Sequence, residues 1–346
     1  MWYGRVMAET APATSLLEAA RVSRGFTQAQ LAKASGLAQG VISKLESGLM
    51  PLEPARVATL AEALGVPAAL IDGSTVHGPH ARVFHRKQAS LPAKAANKLR
   101  ADMILAHVRV SRLLGTDAQP PAIPRLPLTS DLDVPADRAR EVRRMWGLPK
   151  GPIPNIVELL EARGVPCLMW DVSSARVDAI ASWPTDALPI VLLGSHAPGD
   201  RLRFTVAHEL GHAVMHELPC VDCERQADEF AAEFLMPRAD IKDQLRDATL
   251  PRLAQLKPVW GTSISALARR ARDVGAITDS QYRTLNIELS ASGQRTQEPI
   301  PLPQERPTAI TQSIARRRAA GETLDQIATD ALTTVPELTH QYLEAA

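Results

Sequence analysis

The chain has 346 residues, 45% of them hydrophobic, which is enough for two or three packed domains. Its formal net charge is +1, so bulk charge marks neither a nucleic-acid coat nor an acidic tail, and no long apolar run is present to span a membrane. The opening Met1-Trp2-Tyr3-Gly4-Arg5 lacks the apolar core of a secretory signal and three cysteines are too few for a disulfide framework, so a soluble cytoplasmic protein with no membrane partner is expected.

From Ser15 the pattern is helical: Leu16 to Val22, Thr27 to Ser35, Gln39 to Ser47 and Glu53 to Leu64, the last stopping at Gly65. Thr27 and Gln30 form a capping box, and Gly36 suits a tight turn between steeply crossing helices. Ala29, Leu31, Ala32, Leu37, Val41, Ile42, Leu45, Val57, Leu60 and Leu64 are the expected core. Five short helices are expected over about 65 residues. With the Gln-x-x-Leu-Ala, Gly and Ile-Ser-Lys-Leu-Glu-Ser-Gly order, residues 1–75 resemble the XRE (lambda-repressor-like) helix-turn-helix domain. Such a domain lays the Gln39 to Ser47 helix in the major groove of double-stranded DNA. Gln39, Gly40, Ser43 and Lys44 are then the candidate DNA-facing positions, and the resemblance adds Gln28 as a phosphate contact. Ala38 and Gly40 stand where such domains often carry polar residues. Six basic and six acidic side chains over 1–75 imply weak non-specific affinity for DNA. A helical protein-interaction module is the alternative reading.

Residues 76–135 read as a basic linker helix followed by a proline-rich linker. Eight basic side chains, among them Arg82, Arg86 and Lys87, against the single Asp102 give residues 76–115 a local net of +7. Leu99, Met103, Ala106, Val110 and Leu113 recur at helical spacing within Leu91 to Leu114, so a long amphipathic helix is expected. A solvated connector and a contact with DNA backbone or a partner protein are its two readings.

Residues 136–298 carry the chemistry. Helices around Asp137 to Trp146 and Asn155 to Arg163 lead into strand candidates Val165 to Asp171, Val177 to Trp183 and Ile190 to Gly194. An edge strand of that small sheet, either Ile180-Ala181-Ser182-Trp183 or Ile190-Val191-Leu192, suits an extended peptide. Then comes Phe204-Thr205-Val206-Ala207-His208-Glu209-Leu210-Gly211-His212. Two histidines four apart on a helix share one face, so both rings reach one ion with Glu209 beside them. Zinc in a hydrolase keeps three protein ligands and one open position, where water becomes a usable nucleophile. His208 and His212 are two ligands, and Glu224, which opens the helical run to Leu235, is the expected third. Asp228, one turn on, is placed to orient a ligand histidine from behind, and His216 is read as a hydrogen-bonding neighbour. Glu209 is the expected general base. Cys220 and Cys223 leave three readings open: small loop residues, a redox pair, or metal ligands.

His208-Glu209-Leu210-Gly211-His212 with His216, the Glu224-x-x-Ala227-Asp228-x-Phe230-Ala231 run and Leu235-Met236-Pro237 resemble the ImmA/IrrE family of gluzincin-like zinc metallopeptidases. The resemblance implies ligands His208, His212 and Glu224, catalytic Glu209, a Zn2+ cofactor and a protein substrate of the transcriptional-repressor kind. Residues 299–346 read as a helical C-terminal subdomain, with substrate docking and plain packing both open. The expected fold is α+β and mostly helical, with an all-α N-terminal domain, a gluzincin-like domain with a small sheet, and a helical tail. The expected function is a DNA-binding regulator with an endopeptidase domain. The alternatives are a transcription factor whose zinc fold is a sensor or dimerisation unit, which would make a homodimer, and a toxin-antitoxin-like or phage-derived module.

Overall fold

The computed structural model describes residues 14–72, 75–76, 92–130, 132–171, 177–184, 187–217, 220–295 and 298–344. Met1 to Arg5, the Arg82, Arg86 and Lys87 part of the basic run, and Leu91 lie outside them.

The N-terminal unit is built from α1 (Leu16–Ser23), α2 (Gln28–Ser35), α3 (Gln39–Glu46) and α4 (Pro54–Leu64). The Thr27–Gln30 capping box opens α2, and left-handed Gly36 (φ 70°) closes it. Gly65 (φ 63°) ends α4 in the same way. In place of a fifth α-helix there is a single 3-10 turn, Ala68–Leu70. Leu31, Ile42 and Leu60 are fully buried, whereas Ala29, expected inside, is exposed because it lies on the outer face of α2. A two-residue antiparallel ladder pairs β1 (Thr14–Ser15) with β2 (Thr75–Val76).

The long helix α5 (Ala93–Leu114) is not a solvated connector. Residues 101–107 are all buried, which happens to a helix only when it is covered all round. Ala101, Ile104 and Leu105 pack into the N-terminal core, while Leu99, Met103, Ala106, Val110 and Leu113 pack under the sheet. Its buried polar groups are paired across the chain. Asp102 accepts from Ser23 Oγ (2.6 Å) and Lys98 Nζ (2.7 Å), and Arg109 donates to Glu337 (2.9 Å).

The sheet contains β3 (Cys167–Trp170), β4 (Ala179–Ser182) and β5 (Ile190–Gly194) in the order β3-β5-β4. β5 runs parallel to β3, with Cys167 opposite Val191, and antiparallel to β4, with Ser182 opposite Ile190. Ile190-Val191-Leu192 is therefore the centre of the sheet, and of the two candidate edges only the Ile180 strand is one. Side chains alternate between two cores. Cys167, Met169, Ala181, Val191 and Leu193 face one way, and Leu168, Trp170, Ile180, Ile190 and Leu192 the other. Burial on both faces explains why these strands read as continuous apolar runs.

The first face carries α6 (Pro135–Met145), α7 (Ile156–Glu161), α8 (Gly199–Met215), α9 (Cys223–Leu235), α10 (Arg238–Ile241), α11 (Leu250–Trp260), α12 (Ile264–Asp273) and α13 (Asp279–Ala291). The second carries α5 with α14 (Ala309–Ala319), α15 (Leu324–Asp330) and α16 (Val335–Leu338), which bury Ile310, Ile314, Ile327, Leu338 and Tyr342. The C-terminal helices thus complete a core. The proline-rich stretch after α5 is also anchored: Leu126 N donates to Val214 O (2.8 Å) and Arg125 to Ala213 O, which satisfies the last carbonyls of α8.

Candidate metal centre

α8 and α9 position the site. On α8, His212 and Glu209 are fully buried while His208 is partly open. The Nε2 atoms of His208 and His212 lie 3.1 Å apart. Glu224, in the first turn of α9, places Oε2 at 3.6 Å from His208 Nε2 and Oε1 at 3.5 Å from His212 Nε2. Three ligands of one tetrahedral ion with bonds of 2.0–2.1 Å sit about 3.3 Å from one another, so the separations and the two-imidazole, one-carboxylate chemistry both fit zinc.

Glycine at position 211 permits this approach. A Cβ there would stand 3.1 Å from Phe230 Cδ1 and 3.2 Å from Phe230 Cβ, and Phe230 is the fully buried residue that seats α9 on α8.

Each imidazole is held from behind. Asp228 Oδ1 lies 2.9 Å from His208 Nδ1, so the carboxylate accepts that proton and leaves Nε2 as the ligand atom. His216 Nδ1 lies 2.9 Å from His212 Nδ1, and His216 Nε2 lies 2.9 Å from Gln226 Oε1. Burial pushes His216 down to about 4, so it is neutral at pH 7. Its Nε2–H donates to Gln226 and its Nδ1 accepts from His212 Nδ1–H, which frees His212 Nε2 for metal. His216 is not helical (φ −110°, ψ 123°): α8 ends at Met215, and the departing chain turns the ring back toward His212.

The site draws positive charge. Burial disfavours a charged His208, but its hydrogen bonds to Asp228 and Glu224 and the neighbouring Glu209 outweigh that and raise it to about 9. His212 is lowered, chiefly by burial. Both rings face Glu224, and only His208 has Asp228 as well, so His208 is the ring that favours the charged form.

The cluster opens into a cleft of about 1290 Å³ lined by His208, Glu209, Glu224, Asp228, Arg269 and Tyr282 among others. Val177, Asp178 and Ala179 line it too, so the start of β4 borders the candidate ligands. Arg269 Nη1 reaches Asp228 Oδ2 at 3.5 Å. Sequence reasoning did not find Gln226 or Arg269. Gln226 carried a weak signal, a polar residue between Glu224 and Asp228 on an otherwise amphipathic helix. Arg269 comes from α12, which no local pattern ties to α8. Cys220 and Cys223 are joined in a disulfide.

In the N-terminal unit, Gln39, Gly40, Ser43 and Lys44 are all exposed on α3. Gln28 is half-buried, and its Nε2 donates to Glu46 Oε2 (2.8 Å). Glu46 also accepts from Arg21 Nε (2.5 Å) and Nη2 (2.9 Å), so one carboxylate ties α1, α2 and α3 together.

Among the described residues no helix is long and apolar enough to cross a membrane. Residues 17–71 match the family model described as helix-turn-helix, and residues 161–272 match a peptidase-family model described as IrrE N-terminal-like domain. No curated protein sequence matches the chain.

Proposed function

We propose, from a chain that joins an XRE-like helix-turn-helix domain to an ImmA/IrrE-like metallopeptidase-family domain, that this protein is a DNA-binding regulator which cleaves a specific partner protein of the transcriptional-repressor kind. The observation that carries the reading is the convergence of His208 Nε2, His212 Nε2 and the Glu224 carboxylate beside Glu209 in one open cleft.

His208, His212 and Glu224 would hold zinc, which supplies Lewis acidity toward a water and a substrate carbonyl. Glu209, adjacent in sequence to His208 and buried against the cleft, takes a proton from the attacking water and passes it to the leaving amine. Asp228 and His216 keep both imidazoles in the metal-binding tautomer. β4 itself is covered over Ala179–Ser182, so the substrate would meet only the residues that lead into it, Val177 and Asp178, at the cleft wall. On the DNA side, Gln39, Ser43 and Lys44 on α3 are the residues free to meet base edges and phosphates.

The test is incubation of purified, zinc-loaded protein with a panel of small helix-turn-helix repressors, beginning with any encoded beside its gene, and cleavage of one of them is the expected result. A Glu209→Gln variant should keep its zinc and lose cleavage by about 10²–10⁴-fold, the usual worth of a general base. Wild-type cleavage by that variant would overturn the assignment of Glu209. An inert wild type whose DNA affinity responds to metal would establish the sensor reading instead.

A further inference from the structure

A second group of ligand atoms lies beside the first. His216, Cys220 and Cys223 each offer a donor within 4.8 Å of the others. The two sulfurs are joined as a disulfide with their Cα atoms 5.2 Å apart, and Cys-x-x-Cys is also the spacing of a metal knuckle. Cys223 is the first residue of the 13-residue helix α9 and is buried, which fixes its sulfur beside His216. Cys220 is exposed, so the pair is open to reagents in solvent.

We propose that this is a redox-gated second cation site. In the reduced chain the Cys220 and Cys223 thiolates and a His216 ring nitrogen bind a thiophilic divalent ion such as zinc, with water completing the tetrahedron. Oxidation removes the site. Two metal-bound thiolates and one hydrogen peroxide give one S–S bond and two hydroxides: the sulfurs lose two electrons, the O–O bond accepts them, and the hydroxides take two protons from solvent to become water. The bound ion leaves because a disulfide sulfur is a poor ligand. A dithiol reductant reverses the step by exchange and ends as its own disulfide.

His216 links the two centres. One of its nitrogens meets His212 and the other Gln226. An ion bound through His216 displaces one of those hydrogen bonds, so occupancy of the thiolate site alters how the first ligand set is held. This site stands on its own geometry and does not depend on Glu209 acting as a base.

The experiment is a cobalt titration of the full-length, metal-stripped protein, first reduced with a phosphine without oxygen and then treated with peroxide. The reduced chain should bind two cobalt ions and show thiolate-to-cobalt charge transfer in the near ultraviolet. Peroxide should abolish that band and leave one ion. A Cys220→Ser/Cys223→Ser variant should bind one ion in both states without the band. A His208→Ala variant should retain the band while losing the other ion, which separates failure of one site from failure of the other. A reduced wild type that lacks the band, or a band that survives peroxide, would overturn the proposal.

Discussion

Gly211 on α8 lies directly against Phe230 on α9, so a methyl group there would sit 3.1–3.2 Å from that side chain, a few tenths of an ångström tighter than ordinary contact. Phe230 cannot retreat, because it is fully buried and stacks on Phe234 with ring centroids 5.6 Å apart. A Gly211→Ala change gains about 1 kcal/mol of helix propensity. It also forces an overpacked contact costing about 1–3 kcal/mol. The expected outcome is a net destabilisation of about 1 kcal/mol in thermal unfolding, with weaker metal binding because Glu224 moves with α9. A variant with raised Tm and unchanged metal affinity would show that the helices can separate freely.

Asp228→Asn keeps an acceptor oxygen beside His208 Nδ1 but removes the charge that strengthens that bond. Loss of such an outer partner lowers metal affinity about 10–100-fold. Competition with a chromogenic chelator measures it, and an unchanged affinity would mean that His208 is oriented by packing alone.

His107 on α5 is buried, meets Ser182 Oγ at 3.0 Å on β4, and is lowered to about 4 by loss of solvent. The unfolded chain protonates this residue near 6.5 and the folded chain only near 4. In that window the unfolded state binds more protons, so stability falls as pH drops from 6.5 to about 4. The loss attributable to this residue is about 3 kcal/mol at the lower end. Urea unfolding at a series of pH values should show a flatter profile for His107→Gln. An unchanged slope would locate the acid sensitivity elsewhere.

Glu337 on α16 accepts from Arg109 Nη1 (2.9 Å) and Nη2 (3.2 Å) on α5 and from Arg24 Nη2 (3.1 Å) just after α1. Arg109 is only 2% exposed, so Glu337→Gln strands a buried cation and should cost about 3 kcal/mol by chemical denaturation. Limited proteolysis should then cut faster near α1, since the ion pairs that join the N-terminal unit to α16 are weakened while Leu332 still packs in its core. Wild-type resistance would show that the cores alone hold the units together.

Much of the site was readable because its signals are local. The four-residue spacing of His208 and His212, the capping box at Thr27 and Gln30, and the glycine stops at Gly36 and Gly65 each depend on neighbours within about one or two turns. Strand order was not readable, because β5 joins β3 and β4 through pairings that alternation along one strand does not encode. The burial of α5 was hidden by its basic composition. Lys94, Arg100 and Arg112 are solvated as charge predicts, but Arg109 is neutralised by Glu337 from 228 residues away. The role of Gln226 depends on His216 leaving the helix, a backbone event with no marker in the sequence.

A single unbroken helix, Ala93–Leu114, is wedged into both the N-terminal core and the underside of the sheet. With 1.5 Å of rise per residue it acts as a stiff axle about 33 Å long. The exposed face of α3 and the cleft beside Glu224 are therefore keyed to each other at a set bearing. A chain seated on a duplex would present its cleft in one compass direction, and only partners arriving from that quarter would meet it.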